Sequence, residues 1–210
     1  MESAPHIQLL YLQNNKITRM SGFDKLKKLR KLYLTRNKIQ VLEGLLENKM
    51  LQEVHVDRQL LRPGEHFVMD PRTCQAMATC LKTLNISGSN CHDLAGLDLM
   101  CGLQSLSAAN NHMAVLEPVL DVISSLSMLT SLDLTNNPRL NKEPQYRTQL
   151  IARGRALTLL DGRQVEQTNR ILAQQISLKR SQSASRGPRH SPASYCQESG
   201  DETSESNDHE

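Results

Sequence analysis

Apolar residues return along this chain in one repeated phrase. Ile7, Leu10, Leu12, Asn15 and Ile17 spell I-xx-L-x-L-xx-N-x-I, and Leu29, Leu32, Leu34, Asn37 and Ile39 spell it again. Leu51, Val54, Val56, Gln59 and Leu61 form a third copy, with Gln in the Asn position. Leu81, Leu84, Ile86, Ser89 and Cys91 follow, then Leu103, Leu106, Ala108, Asn111 and Met113. Leu129, Leu132, Leu134 and Asn137 form the last. The copies start at 7, 29, 51, 81, 103 and 129, at intervals of 22, 22, 30, 22 and 26 residues. Inside each phrase the period is two, which predicts a short strand with its ladder residues inward and the intervening residues facing solvent. Beyond the polar residue the period becomes three, as in Ile17, Met20, Phe23 and Leu26, in Ile39, Leu42 and Leu45, and in Cys91, Leu94, Leu97 and Met100. That spacing predicts a 3₁₀-like or helical return on the opposite side of each coil.

One strand and one return per period predict an α/β solenoid whose coils stack around a shared core. The intervals suit leucine-rich repeats, so the expected fold is a horseshoe of about six 22–30-residue repeats over residues 1–140. The recurrent Asn, or its polar stand-in, is expected to turn the chain and to hydrogen-bond backbone groups of adjacent coils. The 30-residue interval implies an insertion at about 61–80. There Pro63-Gly64 marks a turn, and Asp70-Pro71 reads as the N-cap and first residue of a short helix at about 71–80. Residues 141–178 are expected to cap the array, with a helix at 144–153 packed by Tyr146, Leu150 and Ile151 and a closing Leu157, Leu160, Asp161, Gly162. A further helix is expected at 163–178, with Val165, Leu172 and Ile176 on one face. From Lys179 to Glu210 the chain turns Ser-rich, basic and then acidic, with almost nothing apolar, which predicts disorder. Only six residues precede the first ladder, so no N-terminal cap is expected.

Composition narrows the function more than the fold. Trp is absent and Tyr and Phe number only 4 and 2, so the core must be filled by aliphatic residues. Five cysteines without a C-x-x-C pair or a signal-peptide pattern point to a reducing compartment. No apolar run reaches the length of a membrane span. A net charge of +3 is too weak to imply nucleic acid. Histidines at 6, 55, 66, 92, 112, 190 and 209 show no zinc spacing, and no glycine loop is suited to cradling phosphate. The expectation is a protein that is not an enzyme and carries neither cofactor nor metal.

Function is then expected on the solvent-facing side of the strands, the concave surface. The position between the second and third ladder residues runs Tyr11, Tyr33, His55, Asn85, Ser107 and Asp133 from coil to coil. Tyr11, Tyr33, His55 and Asp133 are the candidate partner-binding residues, with Lys31, Arg36, Glu53, Asp57 and Arg58 as flanking charges. Rigid amphipathic rings beside charges are the side chains that carry energy in protein interfaces. In the tail, Ser181, Ser183, Ser191 and Ser199 are candidate phosphorylation sites, of consequence mainly where arginines lie close enough to pair with the phosphate.

The 22-residue coils resemble the sds22-like leucine-rich-repeat family. Glu53-Val54-His55-Val56, Gln59, Leu61, Pro63-Gly64-Glu65 and Asp70-Pro71-Arg72-Thr73 resemble, within it, the testis leucine-rich-repeat proteins. So do Leu84-Asn85-Ile86-Ser87 and the cap residues Asn137-Pro138, Pro144, Tyr146-Arg147, Leu150-Ile151 and Leu160-Asp161-Gly162. The resemblance spans about residues 7–165 and is most specific in the insertion. It implies a regulator or localiser of the protein phosphatase 1 catalytic subunit, associated with microtubules and the centrosome, cytoplasmic or alternatively nuclear. It also implies further repeats upstream, hence an N-terminally shortened form. No R-V-x-F-type docking motif is present, since Arg163-Gln164-Val165 lacks the aromatic residue two places on. Two rival roles are a tubulin or axonemal adaptor and a spliceosomal adaptor, the latter because the snRNP A-prime protein combines similar repeats with a similar cap.

Overall fold

The computed structural model describes residues 6–184. Six strands follow the six ladder phrases: β1 (Leu9–Tyr11), β2 (Lys31–Tyr33), β4 (Glu53–His55), β6 (Thr83–Asn85), β7 (Ser105–Ser107) and β8 (Ser131–Asp133). They pair in parallel and in register, with Leu10, Leu32, Val54, Leu84, Leu106 and Leu132 aligned across the sheet. From coil 2 onward the ladder residues are buried, apart from the half-buried Leu61, and with the apolar returns they form one continuous core. The returns include 3₁₀ turns at Phe23–Lys25 and Leu97–Leu99, as the period of three predicts, and a further one at Leu140–Lys142. Coils approach closely on this side. A Cβ on Gly102 would lie 2.8 Å from the Thr79 carbonyl oxygen, which no side chain tolerates.

The recurrent polar residue joins the coils. Asn37 Nδ2 donates to the carbonyls of Leu12 and Leu34, and its Oδ1 accepts from Ile17 N. Asn111 bonds Ile86 O and Ala108 O and accepts from Ser89 N and Cys91 N. Asn137 does the same with Ala108 O, Leu134 O and Met113 N. Gln59 substitutes by reaching Leu34 O and accepting from Ile39 N. Ser89 is shorter, but its Oγ still bonds Val56 O. Each amide therefore satisfies backbone groups of two successive coils that burial would otherwise leave unpaired.

The insertion adds structure beyond the expected helix. Val41–Leu42 (β3) pairs in parallel with Val68–Met69 (β5), making a second, two-stranded sheet. Helix α1 (Pro71–Met77) ends three residues before the expected boundary, and its N-cap Asp70 accepts from Thr73 N and Thr73 Oγ1. The 26-residue coil contains a helix that the pattern of threes did not suggest, α2 (Leu116–Ser125). Its signal is Leu116, Val119, Leu120 and Ile123, a helical i, i+3, i+4, i+7 spacing, and all four are buried.

The cap differs from expectation at both of its helices. Helix α3 spans Tyr146–Arg153 rather than 144–153. Leu159–Leu160 (β9) extends the main sheet as a further rung, and Arg163–Gln164 (β10) turns back antiparallel on it where a helix was expected. The turn between them is Asp161-Gly162, both with left-handed φ, and Asp161 Oδ1 accepts from Leu134 N. The last helix, α4 (Gln167–Ala184), packs on α3. Among its described side chains Ala173 is buried, while Leu172, expected inward, is exposed. Helix α4 also runs six residues past 178, so Ser181 and Ser183 have helical backbone; Ser191, Ser199 and the rest of the expected disordered tail lie outside the described residues. No described helix is long and apolar enough to cross a membrane.

Removing a ladder amide should cost far more inside the array than at its first coil. Asn111→Ala strands four backbone groups and should lower stability by ~3 kcal/mol or more. Asn15, exposed and bonded only to Leu12 O and Gln13 O of its own coil, should cost under ~1 kcal/mol as Ala. Urea denaturation of the two variants checks the difference.

Candidate functional site

Parallel, in-register strands lie about 4.8 Å apart, so rings at equivalent positions stack at that spacing. Tyr11 and Tyr33 have centroids 4.8 Å apart and an interplanar angle of 19°. Tyr33 and His55 follow at 4.7 Å and 21°. Three rings from three coils form one column on the concave face. Tyr11, 60% exposed, is its open end. Such contacts contribute ~0.5–1.5 kcal/mol each beyond the area they bury, and the stack holds the rings in fixed orientation.

Beside the column lies one carboxylate with three partners. Tyr33 OH donates to Glu53 Oε1 at 2.7 Å, and His55 Nε2 lies 2.9 Å from the same oxygen. Lys31 Nζ is 2.7 Å from Oε2. Partial burial works against the charge of Glu53, but the bonds from Lys31, Tyr33 and His55 outweigh it and hold its pKa at about 2. In turn the bond to Glu53, helped by burial, pushes the Tyr33 hydroxyl up to about 12. The same carboxylate raises Lys31.

Five of the nine candidate residues, Tyr11, Tyr33, His55, Lys31 and Glu53, thus form one patch. Asp57 is not a presented charge: it is only 7% exposed and accepts from Thr35 Oγ1 at 2.8 Å. Arg36 and Arg58 stand exposed in the turns that follow the strands of coils 2 and 3, with Arg58 3.9 Å from Asp57. Asp133 does not join the patch. Asn85 and Ser107 separate it from His55 in the column, three strand spacings or roughly 14 Å, and its Oδ1 is occupied by Thr135 N and Oγ1.

The structure also assembles a histidine row on another edge. His66, from the insertion, meets His92 edge-on at 4.1 Å, and His92 lies 5.8 Å from His112. Burial, then the two neighbouring rings, lower the pKa of His92. No spacing in the sequence signals this row, because it exists only once the insertion folds back on coil 4. Among the described residues, no group of three or more His, Cys, Asp or Glu side chains is placed to hold a metal ion. Nor does any described histidine hydrogen-bond a Ser, Thr or Cys side chain; the partners are Lys28, Glu53 and Asn90.

Residues 5–46 match the family model described as Leucine Rich repeats (2 copies). The fold is a leucine-rich-repeat solenoid. A chain of the Drosophila melanogaster SNF/U2A' complex is similar at 22% identity, with a TM-score of 0.52 over 80% of this chain and 79% of that one. Internalin C2 of Listeria monocytogenes is similar at 23% identity, with a TM-score of 0.53 over 73% of this chain and 60% of its own.

The Glu53 cluster should be visible in the pH dependence of stability. Its folded pKa lies below the ordinary glutamate value of 4.5. The stabilisation is therefore present above pH 4.5 and lost as the pH falls toward about 2, up to ~3 kcal/mol in all. Denaturation midpoints over that range should fall more steeply for the native chain than for Glu53→Gln.

Proposed function

We propose that this protein is a non-catalytic scaffold that binds a protein partner on its concave face, and that the partner is the catalytic subunit of protein phosphatase 1. The observation carrying the proposal is the ordered column Tyr11–Tyr33–His55 beside Glu53. It offers a partner amphipathic rings that have already lost their rotamer freedom, and with it much of the entropy cost of binding. The choice of partner rests on resemblance to protein phosphatase 1 regulatory subunit 42, the testis leucine-rich-repeat protein. His55 and Glu53 sit in the matching run 53–56, and the matching insertion is the return of the same coil, pairing with Val41–Leu42 of coil 2. Arg163 and Gln164 are strand residues and Val165 packs partly against the core, so that stretch is not a free docking peptide. Phosphatase contact must then use the concave surface. In this reading the protein localises the phosphatase to microtubules and the centrosome.

A second reading, a spliceosomal adaptor, is favoured by the similarity that spans most of both chains in the SNF/U2A' complex. The two predict different captures by the immobilised full chain. Purified phosphatase catalytic subunit should be retained, and Tyr33→Ala with His55→Ala should weaken binding at least ~10-fold, or 1.4 kcal/mol, without loss of the folded baseline. Failure of the folded native chain to retain the phosphatase, with retention of an RNA-binding protein from nuclear extract, would favour the second reading.

A further inference from the structure

In all six coils the residue before the recurrent polar position (Asn15, Asn37, Gln59, Ser89, Asn111, Asn137) has a left-handed backbone, with φ between 54° and 63°. Four of these residues are Asn or Gly (Asn14, Gly88, Asn110 and Asn136), the types that enter this region most readily. Coils 2 and 3 instead place Arg36 and Arg58 there, at a local cost. The two arginines are exposed neighbours: Arg36 N donates to Asp57 O and Arg58 N to Ser87 O, so their coils run in step. Just beyond the polar position, Lys16 and Lys38 occupy equivalent positions in coils 1 and 2, and coil 3 has Leu60, 59% exposed. Lys16, Arg36, Lys38 and Leu60 line one open depression. Among the described residues, no carboxylate pairs with Lys16, Arg36 or Lys38, and Arg58 has only the committed Asp57 at 3.9 Å. The result is a row of four cations beside an exposed leucine, held partly in a backbone conformation that arginine does not favour.

The chain itself carries a segment of complementary chemistry. Tyr195–Glu210 contains Glu198, Asp201, Glu202, Glu205, Asp208 and Glu210 and no Lys or Arg. Within a chain of net charge +3, that segment's six negative charges leave +9 on the remainder. We propose that Tyr195–Glu210 docks on this edge, its carboxylates against Lys16, Arg36, Lys38 and Arg58 and the Tyr195 ring over Leu60. From the cap strand β9 the coil of Leu60 lies four strand spacings away, some 20 Å, and that of Lys16 six, about 29 Å; the stretch from Ala184 to Tyr195 can extend to ~35–40 Å. Arg36 and Arg58 follow directly on the strands of Tyr33 and His55, so the docked segment borders the aromatic column. Resting on the function proposed above, it is an intramolecular competitor of the partner.

The docking itself is tested without any partner, by amide NMR of the labelled full chain beside a variant with the six carboxylates changed to amides. Signals of Lys16, Arg36, Lys38, Arg58 and Leu60 should differ between the two chains, and in the native chain they should move toward the variant's positions as salt is raised. Free peptide 195–210 should return the variant's signals to native positions, with a Kd weakened ~10-fold or more between 50 and 500 mM salt. A second variant, Arg36→Gly with Arg58→Gly, keeps the left-handed turns and should lose the peptide response. Unchanged signals on this edge would overturn the proposal. So would changes confined to 179–189, meaning that the segment pairs with the adjacent basic stretch, or shifts that vary with protein concentration, meaning a second copy.

Discussion

The array depends on one buried hydrogen-bonded group in each coil after the first. A strand of three residues followed by a sharp turn leaves carbonyls and amides pointing into the core, away from water. Asn37, Asn111 and Asn137 satisfy them in both directions, tying their own turn to the coil before. The aliphatic ladder supplies the driving force of burial, but it is non-directional and does not set a register. The amide ladder does, and the concave surface inherits its regularity. Because every coil is held in the same register, side chains at equivalent positions, 22 to 30 residues apart, fall into columns at strand spacing.

That inheritance explains the candidate site. Tyr11, Tyr33 and His55 stack because the strands beneath them are in register. Glu53 meets Lys31 and Tyr33 on the preceding strand for the same reason. The cluster is internally balanced, with one carboxylate held between a lysine, a phenol and an imidazole. It therefore offers a partner shaped, ordered surface rather than a large net charge. Next to it, Lys16, Arg36 and Lys38 have no carboxylate partner among the described residues. The first coil differs from the rest: Ile7, Leu10, Leu12 and Ile17 are only partly buried, whereas their counterparts in coil 2 are fully covered.

Much of this is legible in the sequence. The period-two phrase identifies all six strands because each is short, half-buried and marked by its polar residue. The convex returns are legible wherever their spacing is three. Where a return lengthens, as at Leu116–Ser125, a helical spacing replaces the period of three, and a search for the shorter period overlooks it. The strand at 68–69 and the histidine row arise from an insertion folding back on neighbouring coils, which local patterning cannot encode. In the cap, Arg163–Gln164 pairs as a strand because β9 leaves an open edge for it. The candidate site is legible as a column but not as a network. Alternation shows which side chains face out, but not that Asp57 is claimed by Thr35 or that Asp133 stands three coils away.

The central claim is that a protein partner is read by the column on the concave face. A photo-crosslinking phenylalanine analogue placed at position 11, the open end of the stack, tests it most directly when the full chain is mixed with the phosphatase catalytic subunit. The same analogue at Met50, an exposed residue outside the concave strands, is the control. The account predicts crosslinks to the phosphatase from position 11 and none from position 50. Crosslinks from position 50 alone would contradict it.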